Sequence, residues 1–412
     1  MASISYLTLI ILCLLVSYVQ VVSTNINAGE FSSFSINAAP EELLFIVLMN
    51  MFVFFIFYGI YILLSRRGVY FSKILRFRLH QHKLNIIFMF ILIIQLLFLL
   101  STGVGRLLSD AAHPLSPVLS LFFPDAFFPV YYIINRTKIN GSKNKVFYLN
   151  VILYSSLKLM QGWSGFILII AFLELYHQTK YIKLKFRYIC ISTLIPLLIL
   201  SAGGLVYKYV YQFKNDIRGT PVSEITYSQG VSLLASRLSM LPVSIAAYDR
   251  MDDVASIFNR DPIFMKEVVA LGRPVLPRFI MPNKEFRPLN NHVLEAYYPE
   301  IGDKTSANMG FYMYLTALVA ADFIQAAFYI VVLIFMIFLA KVFFSTIEIY
   351  RGQLNFIFFI LLIDVANIAS LEVVFGYGFI KVIPLFLLCW IFGGFKIFRS
   401  SESKVELMGC RI

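Results

Sequence analysis

The stretch that decides the fold is Leu43–Leu64, LLFIVLMNMFVFFIFYGIYILL, followed directly by residues 65–83, SRRGVYFSKILRFRLHQHK. The first part is 22 residues without a charge, long enough as a helix to cross a hydrocarbon core of ~30 Å. The second part carries Arg66, Arg67, Lys73, Arg76, Arg78 and Lys83 and no acidic residue. An apolar block of this length ending in a short basic loop is a membrane span whose basic side faces the cytoplasm. The same grammar repeats along the chain. Arg136, Lys138, Lys143 and Lys145 form a second basic loop, and Lys180, Lys183, Lys185 and Arg187 a third.

Working outward, the 412 residues are 59% hydrophobic and 14% charged, with a mean hydropathy of +0.78. Soluble proteins carry charge at about 25% of positions, so that class is excluded, as is disorder. The net charge of +12 sits in the short loops, where it sets orientation and meets anionic lipid heads. It does not point to nucleic acid. The four cysteines show neither a disulfide framework nor zinc-ligand spacing, and no metal site or cofactor motif is expected.

The expected architecture is an all-α polytopic transmembrane helical bundle of about ten spans. Helices 1–7 occupy residues 1–210, a large helical outer loop occupies 211–309, and helices 8–10 with a cytoplasmic tail occupy 310–412. The first run, Tyr6–Val22, reads either as a signal peptide cleaved after Val21-Val22-Ser23 or, since it lacks a basic n-region and its apolar run is long, as an uncleaved span, the reading adopted in the count of ten. The block 146–177 is unusual because basic loops flank it on both sides. It reads as a short helical hairpin turning at Gln161-Gly162-Trp163-Ser164-Gly165. Two helices of about fifteen residues reach only ~22 Å each. Either the tip meets a wet cavity, where the Lys158 amine and Trp163 lie, or the hairpin turns tightly in thinned lipid.

The chain concentrates its chemistry in 211–309. This segment holds 11 Lys and Arg, 11 Asp and Glu, and 8 of the 15 prolines. A loop this long is functional or disordered, and its apolar content argues against disorder. Leu233, Leu234, Leu238, Leu241 and Ile245 recur at helical spacing, so two or three helices are expected on the outer face. Guanidinium groups pair bidentately with phosphate and stay charged, so the seven arginines suit a lipid-linked pyrophosphate. Arg237 has no acidic neighbour in sequence and Arg278 is held between prolines; these are the leading pyrophosphate candidates. Arg250, Arg273 and Lys284 are weaker ones, and for Arg250 and Arg260 a local ion pair with nearby aspartates is the competing reading. His292 is the candidate general base, set against a solvent-exposed loop histidine. Asp322, Asp364 and Glu372 are ionisable groups within or beside spans, with Asn367 on the Asp364 face.

The plan of about ten spans with one large late outer loop resembles the O-antigen (Wzy-type) oligosaccharide repeat-unit polymerases. So do Lys158–Gly165 in a short hairpin and Leu276-Pro277-Arg278 with Pro282 and Lys284. Thr305-Ser306-Ala307-Asn308-Met309-Gly310-Phe311-Tyr312 resembles the family's re-entry segment. The resemblance implies a glycosyltransferase C-like fold in the bacterial inner (cytoplasmic) membrane. It implies polymerisation of undecaprenyl-pyrophosphate-linked repeat units into O-antigen or surface polysaccharide at the periplasmic face, without metal or cofactor. Implied partners are lipid-linked glycans, membrane lipid, and the chain-length regulator and flippase of the same pathway. The alternatives are a flippase for the lipid-linked unit and an O-antigen ligase. An O-acyltransferase fits less well, because His80 and His82 fall in a basic cytoplasmic loop.

Overall fold

A computed structural model describes residues 1–27, 31, 34–66, 75–105, 113–136, 145–163, 165–179, 186–218, 225–260, 263–274, 276, 287–299, 307–347, 352–393 and 395–399. Helices dominate, as the apolar runs require. Among the described residues, seven are long and apolar enough to cross a membrane. They are α1 (Ala2–Thr24), α2 (Pro40–Arg66), α3 (Gln81–Thr102), the unit α4–α5 (Ser116–Leu121 and Pro124–Arg136), the Cys190–Tyr209 part of α8 (Phe186–Arg218), α15 (Phe323–Ile347), and the unit Glu372–Ile391. The chain is thus a multi-pass α-helical membrane protein. Leucine and phenylalanine side chains on the outer faces of these helices, such as Phe52, Leu97 and Phe335, remain exposed, as a lipid-facing surface requires.

Three further segments expected as spans are short. The hairpin helices are α6 (Lys145–Met160) and α7 (Phe166–Thr179), 16 and 14 residues long, and they turn at Gly162, whose φ is 80°. The expected span over 354–373 is α16 (Asn355–Ile368), also 14 residues. It stops at Ala369, which has a left-handed φ of 64°. A π-helical segment, Glu372–Ile380, follows and passes into α17 (Val382–Ile391), so the last span begins at Glu372, earlier than the apolar run Gly378–Phe395 that the hydropathy pattern marks.

The segment after α8 forms a helical cap. Five described helices build it where two or three were expected: α9 (Tyr227–Ser239), α10 (Leu241–Asp249), α11 (Met251–Asn259), α12 (Lys266–Ala270) and α13 (Leu289–Tyr297). The continuous helix expected from Leu233 to Ile245 is broken. Met240 takes φ 51°, and Pro242, lacking a backbone N–H, starts a new helix at 68° to the first. Nor does α9 lie flat on the outer face. It packs along α1 and α8, with Ser17 Oγ and Ser239 Oγ 3.1 Å apart and Ser232 bonded to Gln20. A Cβ on Gly230 would lie 2.5 Å from the Gly204 carbonyl, so only glycine allows α8 and α9 to approach this closely. Thr226 and Gln229 form a reciprocal capping box at the start of α9. The short helix α14 (Phe311–Ala321) returns the chain to α15.

The cap marks one end of the bundle. Tyr248 of α10 donates to Glu42 at the start of α2 (2.8 Å), and Gln325 at the start of α15 accepts from the Lys266 N–H (3.0 Å). The opposite end carries the one departure from an all-helical fold among the described residues. Strand β1 (Leu75–Leu79), in the first basic loop, pairs antiparallel with β2 (Phe395–Arg399), in the tail. Two segments placed on one side of the membrane by charge alone are therefore joined by backbone hydrogen bonds.

Candidate functional site

Three interrupted helices converge inside the bundle on its cap side. The first interruption lies between α4 and α5, where Phe122 leaves helical geometry and Pro124 restarts the helix. This restart puts Asp125 in the first turn of α5, where the helix dipole favours a negative charge. The second is the α6–α7 turn. Lys158, 4% exposed, sends its Nζ to Asp125 Oδ2 (2.6 Å) and to Gln161 Oε1 (2.7 Å). Tyr154 donates to the other oxygen of Asp125 at 2.9 Å, and its ring stacks on Phe128 with centroids 3.7 Å apart. The third is the passage from the π-helical segment into α17 at Lys381. Its Nζ lies 5.1 Å from the centroid of Phe123 and 4.4 Å from that of Tyr377. The Lys158 ammonium approaches the same Phe123 ring (5.6 Å) and that of Trp163 (5.4 Å). Two ammonium groups thus approach one aromatic ring beside one aspartate.

The cap reaches this layer through the turn after α12. Gly376 in the π-helical segment has no side chain to block it: a Cβ there would meet Pro274 Cγ at 2.9 Å and the Leu271 carbonyl at 3.1 Å. That close approach sets Arg273 beside Glu372, Nη1 to Oε2 at 3.4 Å. Glu267 anchors the turn from inside the cap. It is fully enclosed, accepts the Leu289 N–H at 2.6 Å, and bonds the Tyr314 hydroxyl. Burial raises its pKa above the ordinary carboxylate value, and those hydrogen bonds oppose the rise.

The residues singled out in the sequence fall in separate places. Arg237 is exposed on the last turn of α9. Arg250 donates to the Ala296 carbonyl (2.7 Å), lies over the Tyr297 ring (4.6 Å), and is 3.9 Å from Asp253, so its local ion pair is present but long. Arg260 Nη1 lies 3.4 Å from Glu295 Oε1, while the adjacent Asp261 is outside the described residues. His292 is buried at 3% exposure rather than open to solvent. Its Nδ1 is 3.0 Å from Glu295 Oε2 and its Nε2 is 3.3 Å from the Arg287 carbonyl. Burial lowers its pKa, with the Glu295 contact acting in the opposite sense. Arg250, Arg260, Arg287 and His292 thus gather on α13. At the hairpin tip the Lys158 ammonium lies 5.4 Å from the centroid of Trp163, and Arg273 joins the layer below the cap. Arg278 and Lys284 lie outside the described residues, as does Ser164.

Sequence reasoning missed Asp125, which sits unremarked in the apolar run 117–134, and gave Lys381 no role. An ionisable residue next to a proline within a span was the available signal for Asp125. Glu174 was also missed. On α7 it receives Arg136 Nε (3.0 Å), Arg136 Nη2 (2.8 Å) and the Tyr132 hydroxyl (2.8 Å), tying the hairpin to α5.

These features define the class: a multi-pass α-helical membrane protein with a helical cap on one end and a charged layer beneath it. Compared with protein-family profiles, curated proteins and solved structures, the chain finds no match.

Proposed function

We propose that the chain polymerises lipid-linked oligosaccharide repeat units, as an O-antigen-type polymerase of about ten spans with a glycosyltransferase C-like plan in the bacterial inner membrane. The observation that carries this reading is the descent of Arg273 from the cap to Glu372, level with a layer holding Lys158 and Lys381. Cations placed where a polar cap meets apolar helices suit a substrate with a diphosphate joining a sugar to a prenyl tail. With the basic loops in the cytoplasm, the cap faces the periplasm.

The chemistry is a glycosyl transfer. A hydroxyl of the non-reducing sugar on one lipid-linked unit attacks the anomeric carbon of the glycan on another carrier. The new C–O glycosidic bond forms as the bond from that carbon to the pyrophosphate oxygen breaks, and undecaprenyl pyrophosphate leaves with the electron pair. The hydroxyl proton passes to a base. Arg237, Arg250, Arg273, Arg278 and Lys284 are the groups proposed to hold the departing diphosphate, where charge stabilisation gives the largest return. His292, neutral through burial and tied to Glu295, is the proposed base among the described cap residues.

Deletion in the source cell tests the reading. Lipid A–core capped with a single repeat unit is the expected product, and an unchanged polymer ladder would refute it. One observation favours a flippase instead: charged side chains lie within the bundle as well as in the cap. Bare core after deletion would support that reading, or the ligase, against polymerisation.

A further inference from the structure

Lys381 is only 3% exposed, yet among the described residues its ammonium has no hydrogen-bond acceptor. The ammonium lies over the rings of Phe123 and Tyr377. The two carboxylates whose charge acts on it are already committed, Asp125 to Lys158 and Tyr154, and Glu372 to Arg273. Counting the layer as Lys158, Lys381 and Arg273 against Asp125 and Glu372 leaves one positive charge unbalanced. An unpaired buried ammonium in a low-dielectric layer is costly, and a structure retains one where something binds it. Its three N–H donors remain unused, and one donor of Lys158 is also free of the two acceptors that ammonium meets.

We infer that Lys381, with Lys158 across the Phe123 ring, binds a phosphate group. A phosphate oxygen accepts from the Lys381 ammonium, and its negative charge balances the layer. The aromatic walls exclude water and strengthen the contact. Trp163 and Tyr377, 52% and 41% exposed, mark the side from which the group enters. The site stands apart from the cap arginines around α13, and among the described pyrophosphate candidates Arg273 adjoins it. The inference deepens the lipid-linked reading by giving the carrier's phosphate a seat within the bundle. The same chemistry also admits free inorganic phosphate.

Trp163 reports on the site, because the chain has only one other tryptophan, Trp390. The experiment uses the purified full-length chain in detergent with Trp390→Phe, titrated with geranylgeranyl phosphate, geranylgeraniol or inorganic phosphate while Trp163 emission is followed. Geranylgeranyl phosphate is expected to change the emission saturably. Removing one charge-assisted hydrogen bond in Lys381→Met should weaken binding by about tenfold or more, while Lys381→Arg stays within about threefold. Tighter binding of the prenyl phosphate than of inorganic phosphate assigns a lipid headgroup, and equal binding assigns the free ion. An unchanged Kd in folded Lys381→Met overturns the inference, as does equally tight binding of the neutral alcohol. Should Lys381→Met fail to fold, Lys381→Gln takes its place. Should both fail, absence of any Trp163 response to either phosphate in the otherwise unaltered chain overturns it. None of these readouts depends on glycan length, so a failed deletion phenotype and a failed binding result can be told apart.

Discussion

The Lys158–Asp125 pair holds the hairpin tip to the start of α5, and cutting it gives a measurable loss. In Lys158→Met the stem keeps its volume, but Asp125 and Gln161 lose the ammonium that both now contact at 2.6–2.7 Å. Removing one partner of a buried ion pair costs about 3–5 kcal/mol. The Asp125 side chain is 29% exposed and keeps its bond from Tyr154, so the lower end, about 3 kcal/mol, applies. Asp125→Asn preserves an oxygen for Tyr154 and strands the ammonium instead, at a similar cost. The double variant leaves neither member of this pair charged. It should therefore lose less than the two single losses combined, with a coupling of about 2 kcal/mol. The assay is reversible unfolding in mixed micelles against SDS, followed through Trp163 with Trp390→Phe as background. Single variants within about 0.5 kcal/mol of the parent, or strictly additive losses, would show that the pair does not hold the tip.

The geometry sets three further outcomes. Gly230→Ala forces the α8–α9 contact apart and should cost about 1–3 kcal/mol in the same assay, while Gly165→Ala, with open space around it, should stay within about 0.5 kcal/mol; equal effects would deny the tight crossing. His292 has a depressed pKa in the fold, so its contribution to stability is complete above about pH 6.5 and is lost as pH falls below that; His292→Gln should flatten the decline of the melting midpoint between pH 7 and 5, and an unchanged slope would remove the role of burial. Arg237→Ala, Arg273→Ala and Arg278→Ala should each reduce polymerisation by about 100-fold or more at normal membrane abundance, and a parental ladder in all three would exclude them from diphosphate binding.

How far each feature was legible in the sequence depends on how it is encoded. Spans are written in runs of local hydropathy, and the seven long helices fall where those runs lie. The hairpin was legible because two basic flanks left too few residues for full crossings. Pairing between distant positions has no local signature. Asp125 and Lys158 are 33 residues apart, Arg273 and Glu372 are 99 apart, and nothing in either neighbourhood names the other. The break at Met240 was hidden because leucines on both sides keep a helical period, whereas Pro242 ends the helix whichever residues come after it. His292 read as a loop residue because its burial comes from α11, through Phe258, and from its own turn of α13. The pairing of β1 with β2 depends on two segments more than 300 residues apart in the chain and could not have been read from either.

The sheet also constrains how the chain runs between its ends. From β1 to β2 the chain leaves and returns to the same end, so it must traverse the bundle an even number of times. The hairpin goes up and back and leaves that parity unchanged. Helix α15 leaves the cap at Gln325, and at its far end Lys341 meets Asn355, where α16 begins. The unit Glu372–Ile391 then runs from Arg273 at the cap down to β2. Helix α16 must therefore make the return, and it does so in 14 residues, about 21 Å at ~1.5 Å each. Its last turn lies at the cap side, with Tyr329 donating to the Ala369 carbonyl at 2.7 Å and Asn367 to the Leu238 carbonyl at 2.9 Å. A return this short fits a polar region that dips into the bundle beneath the cap and equally a bilayer thinned around it, the same two settings open to the hairpin. The α9–α10 elbow, the α4–α5 break and the hairpin tip stand on that same side, and each leaves irregular backbone that hydrocarbon would not tolerate. Four interruptions thus stand on one side of the bundle, and the charged layer of Asp125, Lys158, Lys381 and Glu372 lies on that side as well.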